Sequence, residues 1–580
     1  MTTTTNVRGG AWLTEETDAQ TIFTPERLTD EHRMIARTAA EFMETEVVPA
    51  IEQLEKKDWT LARTLVRRCG ELGLLGADVP EALGGVGLDK VSAVIVGEAV
   101  GRAASFATTF GAQTGLAITP LICFGTDAQK QKYVPGLVSG ELVGAYALSE
   151  SASGSDALGA RARATRQLDG SYLLSGEKMW ITNGGFADLY IVFAKVDGEQ
   201  FTAFIVERAF PGVSTGNEEH KMGLHGSSTT PLILQEARVP AENVLGEIGK
   251  GHKVAFNVLN YGRFKLAAMC SGGARFAVAE SARYAADRRQ FGQPLASFGA
   301  IRHKLAEMTI REYAIEAMLY RTAGLIDGML QGSHASDLVL ASLEEFAIEA
   351  SILKVASSEM IDFVVDENVQ IHGGNGFVQD YPAERQYRDA RVNRIFEGTN
   401  EINRLLIPGM LAKRAVKGGL PLIAAAQRLQ DELLTPSLTA PTADTALDGA
   451  RTAVVAMKKV ALMVLGTAMQ TYGAKLADEQ EVLTRAADVI IDVFAADSAV
   501  IRATATNAAL HEAAACVFVS DAAGRVELAA RDALAAMTEG DTLRTLLAAL
   551  RRLMKVAPVN TVALRRQLAD AVAERRVYPF

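Results

Sequence analysis

Residues 169–206 read DGSYLLSGEKMWITNGGFADLYIVFAKVDGEQFTAFIV, and this stretch decides the fold. Tyr172–Leu174, Leu189–Val196 and Phe201–Val206 are short runs of branched and aromatic residues, which suit a pleated, half-buried surface. Asp169-Gly170, Asn183-Gly184 and Asp197-Gly198 punctuate them as hairpin-type turns. Their spacing leaves no room for crossover helices, so the runs predict an antiparallel sheet or barrel.

On both sides of this region the period becomes helical. Upstream, Leu28-Thr29-Asp30-Glu31 offers an N-cap, and Met34, Ile35, Ala39, Phe42 and Met43 follow at helical spacing. A glycine-rich loop at Ala82–Gly87 precedes an apolar helix near Ala93–Val100. Downstream of His252, Val254, Val258 and Tyr261 share one helix face. Pro436 and Pro441 among Thr, Ser and Asp mark a linker near Asp431–Gly449. Beyond it an alanine-rich helical region carries the stripe Leu546, Leu547, Leu550, Leu553. The expected fold is mainly α with an inserted antiparallel β-domain. It divides into an extension (1–24), a helical domain (25–144), a β-domain (145–251), a second helical domain (252–414) and a C-terminal helical domain (415–580).

Of the 580 residues, 48% are hydrophobic and 22% charged, which supplies packed cores and argues against disorder. A net charge of -10 excludes a general nucleic-acid binder, although a few placed arginines can still hold a phosphate. Cys69, Cys123, Cys270 and Cys516 are far apart without a CxxC, and His225, His252 and His372 lack metal-ligand spacing. No metal site is expected. The first residues lack the apolar core of a secretory signal, and no apolar stretch approaches the roughly 20 residues of a membrane span. A soluble, cytoplasmic protein is the expectation.

Five stretches carry chemistry: Tyr146–Asp156 (YALSESASGSD), Lys178–Gly184 (KMWITNG), Arg288–Gly292 (RRQFG), Gln370–Phe377 (QIHGGNGF) and Arg394–Glu401 (RIFEGTNE). Together and in this order they resemble the acyl-CoA dehydrogenase family, especially its very-long-chain branch. The resemblance runs from about Phe23 to Met410. The region from about Ala415 resembles the extra C-terminal helical domain of that branch.

The resemblance implies FAD-dependent α,β-dehydrogenation of a fatty acyl-CoA, with Glu397 as the base. A carboxylate can take the α-proton of a thioester when desolvation raises its pKa toward the working pH. Read alone, the same glutamate is an exposed acid favoured by a helix dipole. Some branches carry the base at the position that here is Gly262, which cannot act as one. The backbone N–H of Glu397 and a flavin hydroxyl are implied to hold the thioester carbonyl. No strand-borne GxGxxG is present, since Gly373-Gly374-Asn375-Gly376 lacks the spacing, so a Rossmann domain is not expected.

By the same resemblance, Tyr146, Leu148, Ser149, Gly154, Ser155, Trp180 and Thr182 line the flavin. Arg288, Gln290 and Phe291 reach the FAD of a neighbouring subunit, joined by Gln370 and Gly374, and Thr399 and Glu401 also fall on the cofactor side. Thr399 can in addition cap the following helix. Ser155, Asn260, Arg263 and Gly398 are implied at the substrate. Shared FAD sites imply a homodimer, and the electrons pass to an electron-transfer flavoprotein. An acyl-CoA oxidase using oxygen, or a non-catalytic assembly protein that kept the fold, are the alternatives. Gly111, Ala112 and Gly115 either leave a deep channel for a long acyl chain or permit close helix packing. Lys458 and Lys459 beside Val460–Leu465 form either a membrane-surface helix or a packed one.

Overall fold

The β-prone runs assemble into one sheet. Its strands are β1 (Gly144–Ala147), β2 (Arg163–Arg166), β3 (Tyr172–Thr182), β4 (Leu189–Val196), β5 (Gln200–Glu207), β6 (Val213–Thr215), β7 (Thr229–Val239) and β8 (Val244–Leu245). Their order is β6-β7-β3-β2-β4-β5-β8, with β1 also on β4. The computed structural model describes residues 8–434 and 444–580, so Pro436 and Pro441 of the expected linker lie outside the described residues.

Most pairings are antiparallel, and the sequence analysis lacked the two parallel ones, β1 and β2 against β4. Asp169-Gly170 and Asp197-Gly198 are hairpin turns, joining β2 to β3 and β4 to β5. Asn183-Gly184 is not, because β2 inserts between β3 and β4. Asn183, at φ 64°, instead turns the chain out of the sheet, and its buried amide donates to the carbonyls of Thr109 and Gly144 at 3.2 Å.

Among the described residues, seven α-helices precede the sheet: α1 (Asp30–Phe42), α2 (Val48–Glu55), α3 (Trp59–Glu71), α4 (Lys90–Val100), α5 (Ala104–Gly111), α6 (Thr119–Phe124) and α7 (Asp127–Ser139). Thr29 caps α1, its hydroxyl accepting from the His32 N–H at 3.2 Å. Pro49 lies just past the π-helical turn Met43–Val47 through which α1 runs into α2, an irregularity that accommodates a residue without an N–H.

After the sheet come α8 (Gly251–Asp287), α9 (Gly299–Leu330), α10 (Ser336–Glu345), α11 (Ala347–His372), α12 (Pro382–Ala390) and α13 (Asn400–Val416). Helix α8 crosses α4 so closely that a Cβ at Gly272 would stand 1.8 Å from the Glu98 carbonyl oxygen. Only glycine fits there.

The C-terminal helices α14 (Leu422–Leu434), α15 (Ala446–Tyr472), α16 (Gln480–Thr506), α17 (Ala509–Met537), α18 (Gly540–Leu553) and α19 (Thr561–Arg575) share one apolar core with α8, α9 and α11. Buried Arg502 ties them in, pairing with Glu316 and Glu26 at 2.7 Å each. The helical stretch Ala446–Asp478 is long and apolar enough to cross a membrane, which corrects the expectation that no segment approaches that length. The reason is its place in the core, with 56% of its most apolar window buried. Val460–Leu465 face inward, while Lys458 pairs with Asp497 at 2.9 Å and Lys459 with Glu432 at 2.5 Å. Val460–Leu465 pack the interior.

Candidate active site

Glu397 lies in the loop before α13, where it and Gly398 are both left-handed, at φ 59° and 78°. A non-glycine residue in that region costs on the order of 1 kcal/mol or more, so neighbours must hold it there. From α8, the Arg263 Nε donates to the Glu397 carbonyl at 3.1 Å, while its Nη1 is anchored on Asn260 Oδ1 at 3.0 Å. From α13, the Asn403 amide donates to the carbonyls of Gly398 at 2.8 Å and Thr399 at 3.0 Å. Thr399 caps α13, accepting from the Ile402 N–H at 3.3 Å. No backbone carbonyl among the described residues accepts from the Glu397 N–H outside the helices and strands.

The carboxyl reaches α8 at Gly262, where a Cβ would stand only 2.6 Å from Oε2. The missing side chain at the alternative base position is therefore the room that Glu397 occupies. Oε2 is buried without a hydrogen-bond partner. Burial pushes the Glu397 pKa up from 4.5 to about 7, against the opposing pull of Arg263 and Lys354. Desolvation likewise brings Arg263 down to about 10.

A channel starts at this carboxyl. One wall is a stripe of α8, with Gly262, Leu266, Met269, Gly273 and Phe276 at helical spacing. The facing wall includes Ala104, Thr108, Gly111 and Ala112, and Arg102 stands at the end with its guanidinium 4.7 Å from the centre of the Phe276 ring. Gly111 and Ala112 thus open the channel, and a Cβ at Gly111 would press on Met269 Cε at 3.1 Å. Gly115 does not line it and faces the Lys265 stem, 3.7 Å from its Cδ.

The residues assigned to the flavin fall into two separate groups. In the first, β1 and β3 lie side by side, the Met179 N–H donating to the Ser149 carbonyl at 2.9 Å. A bulge between Lys178 and Ile181 puts Trp180 at φ 58° and leaves its ring exposed, while Thr182 lines the channel mouth. Tyr146 and Leu148 are half-buried, and Gly154 and Ser155 are exposed on the following loop. In the second, Arg288, Gln290 and Phe291 follow the end of α8, and Gln370 and Gly374 lie at the end of α11. All five are exposed, and the two helix ends meet where Tyr284 stacks on His372 at 4.2 Å.

Arg288 lies 26 residues beyond Gly262, about 39 Å along the helix axis at 1.5 Å per residue. A single chain does not bring the two groups together. Glu401 is exposed on the first turn of α13 and does not line the channel.

Sequence reasoning missed Lys354, a fully buried lysine on α11 whose ammonium donates to Asn400 Oδ1 at 2.6 Å. A lone lysine within the apolar run Ala347–Val355 was the available signal. It also missed Met269 and Phe276, whose role depends on which face of α8 meets α5.

The first group suits a flavin. The Tyr146 hydroxyl is buried without a partner, Trp180 offers an uncovered ring, and a Cβ at Gly154 would meet nothing within 4 Å. A planar, hydrogen-bonding ligand answers all three. The fold and this site define a flavin-dependent oxidoreductase with a largely apolar substrate channel. Acyl-CoA dehydrogenase family models match the N-terminal domain at residues 29–141, the middle domain at 145–237 and the C-terminal domain at 249–411. A further acyl-CoA dehydrogenase C-terminal model matches 456–552. The chain belongs to the acyl-CoA dehydrogenase family, and FAD is its cofactor.

It is 47% identical over 584 residues to a probable acyl-CoA dehydrogenase of Bacillus subtilis (strain 168), with 98% of each chain covered. The crystal structure of an acyl-CoA dehydrogenase complexed with FAD from Bacillus anthracis matches at a TM-score of 0.97 and 46% identity, covering 99% of this chain and 100% of that one. The human mitochondrial very long-chain specific acyl-CoA dehydrogenase is 42% identical over 369 residues, 62% of this chain and 53% of that protein. The match thus spans about half the length of the human enzyme.

Proposed function

We propose that this acyl-CoA dehydrogenase oxidises long-chain fatty acyl-CoA to trans-2-enoyl-CoA in β-oxidation, with Glu397 as the α-proton base. The observation that carries the reading is the unpartnered, desolvated Glu397 carboxyl at the head of a long apolar channel. A base poised near pH 7 is matched to its task, since a stronger base would be protonated and a weaker one ineffective.

The α C–H bond breaks with its proton passing to a Glu397 oxygen, the β-hydrogen leaves as hydride, and the double bond forms between the two carbons. When bound, FAD supplies the acceptor for that hydride. The Glu397 N–H donates to the thioester carbonyl and stabilises the developing enolate, while Arg263 holds the loop that aims it. Asn260 and Gly398 shape the same end of the substrate site. Ser155, Tyr146, Trp180 and Thr182 bind the flavin from one chain. Arg288, Gln290, Phe291, Gln370 and Gly374 bind it from the partner, which makes a homodimer the smallest complete unit. The separation of the two groups along α8 supports that arrangement.

Long chains follow from the channel. From Gly262 to Phe276 the α8 stripe spans 14 residues, about 21 Å at 1.5 Å each. An extended alkyl chain with bonds near 1.5 Å advances about 1.3 Å per carbon, so roughly sixteen carbons fit. The electron acceptor is an electron-transfer flavoprotein and the compartment the cytoplasm.

The test is an anaerobic titration with palmitoyl-CoA that follows the oxidised-flavin band. Bleaching at one acyl-CoA per flavin is expected, slowed about 10²- to 10⁴-fold in Glu397→Gln with FAD retained. A Glu397→Gln variant that bleaches at the wild-type rate would overturn the base, and a wild-type protein indifferent to palmitoyl-CoA would overturn the substrate.

A further inference from the structure

Asn400 is the first residue of α13, three positions after Glu397, and its buried amide both accepts and donates. Its Oδ1 accepts from Lys354 Nζ at 2.6 Å, while the Ser358 hydroxyl donates to the Val355 carbonyl at 3.0 Å. Its Nδ2 donates to Ser358 Oγ and to Glu359 Oε1, both at 3.0 Å. Glu359 in turn accepts two parallel bonds from Arg404, at 2.6 and 2.9 Å. The Arg404 Nε in turn reaches Asp488 Oδ1 at 2.7 Å. Asp488 lies on α16, outside the helices that build the active site. An unbroken series of hydrogen bonds therefore leads from the C-terminal helices to the buried ammonium beside the base.

We propose that the C-terminal domain positions the base: Asp488 holds Arg404, and through Glu359 and Asn400 fixes Lys354 where its charge faces Glu397. The inference rests on Glu397 being the base. Asp488, Arg404, Glu359, Asn400 and Lys354 are positioning residues and do not touch substrate.

The surrounding charges leave Lys354 the adjustable member. Glu397 is faced by Arg263 from α8, Lys354 from α11 and the Tyr146 hydroxyl from β1. Lys354 is faced by Glu397, Arg263, Glu401 and the Cys270 thiol. Glu359 neighbours Asp362, itself paired with Arg394 at 3.1 Å, and Asp488 neighbours Asp492, paired with Arg525 at 2.6 Å. Arg263 is pinned by two bonds within the catalytic region. Lys354 depends on Asn400 alone for its hydrogen bond. With asparagine at 488 the Arg404 Nε faces a neutral acceptor in place of a carboxylate, its bond weakens, and the Arg404–Glu359 pair can pivot, carrying Asn400 and Lys354 with it. A weaker positive field raises the pH at which Glu397 ionises.

The experiment measures the rate of flavin bleaching by palmitoyl-CoA from pH 5.5 to 9 in the full-length, FAD-loaded wild type, Asp488→Asn, Asp488→Glu, Lys354→Met and Glu397→Gln. Asp488→Asn is expected to move the acidic limb upward by about half a pH unit, a roughly threefold loss of rate below the limb. Lys354→Met should move it further in the same direction, and Asp488→Glu should restore it. An Asp488→Asn limb at the wild-type pH overturns the proposal whatever happens to its stability, because a merely structural contact would lower stability alone. A shift in Asp488→Asn without one in Lys354→Met overturns the route through Lys354. If Glu397→Gln fails to bleach while Asp488→Asn keeps the wild-type limb, only the positioning role falls. If Glu397→Gln bleaches normally, the base lies elsewhere and both readings fall.

Discussion

Glu397 combines two unfavourable states, a left-handed backbone and a buried carboxyl without a hydrogen-bond partner. Neither is relieved within the protein. Both fit a group whose partner is a substrate, since strain and desolvation collect where function over-determines a residue. The raised pKa has a consequence for stability. The folded state holds the proton up to about pH 7, whereas the unfolded chain releases it near 4.5. Between those values the native protein binds more protons, so this group lowers stability as pH rises through the window. Glu397→Gln should therefore be more stable than wild type at pH 8, by about 3 kcal/mol, with no difference below about pH 4. Urea melts of the FAD-free proteins at both pH values check this. A variant less stable than wild type at pH 8 would refute it.

Helix α8 does three things with one surface. Gly262 makes room for the base, Arg263 holds its loop, and the stripe from Leu266 to Phe276 lines the channel. The facing wall must then be low, and Gly111 and Ala112 provide that where α5 runs into the π-turn Ala112–Ile118. Ala112 is buried at 3% exposure, so a larger side chain there has only the channel to enter. Ala112→Phe is expected to lower kcat/KM for palmitoyl-CoA more than tenfold relative to butyryl-CoA, the loss of a fit that overpacking imposes. Equal losses on both substrates would show that Ala112 serves helix packing and not chain length.

Across the whole molecule, the C-terminal helices are a continuation of the catalytic core and not an appendage. Arg502, buried at 0% exposure, joins Glu316 of α9 to Glu26 of the N-terminal segment. Its guanidinium also stacks over Tyr313, 4.3 Å from the ring centre. Arg502→Met removes one charge and leaves Glu316, at 1% exposure, with Arg275 at 3.2 Å and the neutral Tyr578 hydroxyl at 2.8 Å. A loss of about 3 kcal/mol is expected in chemical denaturation, partly recovered when Glu316→Gln is added, because the cost lies in the stranded carboxylate. An unrecovered loss would mean that the guanidinium packing dominates. This junction also gives the positioning role of Asp488 a rigid base, since α16 cannot shift without disturbing both pairs.

The sequence by itself determined the order of helical and β regions, the family and the flavin. The alternation at 169–206 and the five motifs are local in the chain, and local pattern survives without knowledge of partners. It did not determine the path after Thr182. Asn183-Gly184 has hairpin composition, but β2 took the place beside β4, a decision made by long-range pairing. Nor could it separate a membrane helix from a core helix in Ala446–Asp478, because apolarity reads alike in both until neighbours are present. At the site, Glu397 and Arg263 stood in motifs, whereas Lys354 and the channel wall became visible only once α8, α11 and α5 were packed together. Only the tertiary structure decided the environment of the base. Desolvation and charge depend on what surrounds a group in space, and Lys354, Asn400, Glu359, Arg404 and Asp488 are spread over 135 positions of the chain.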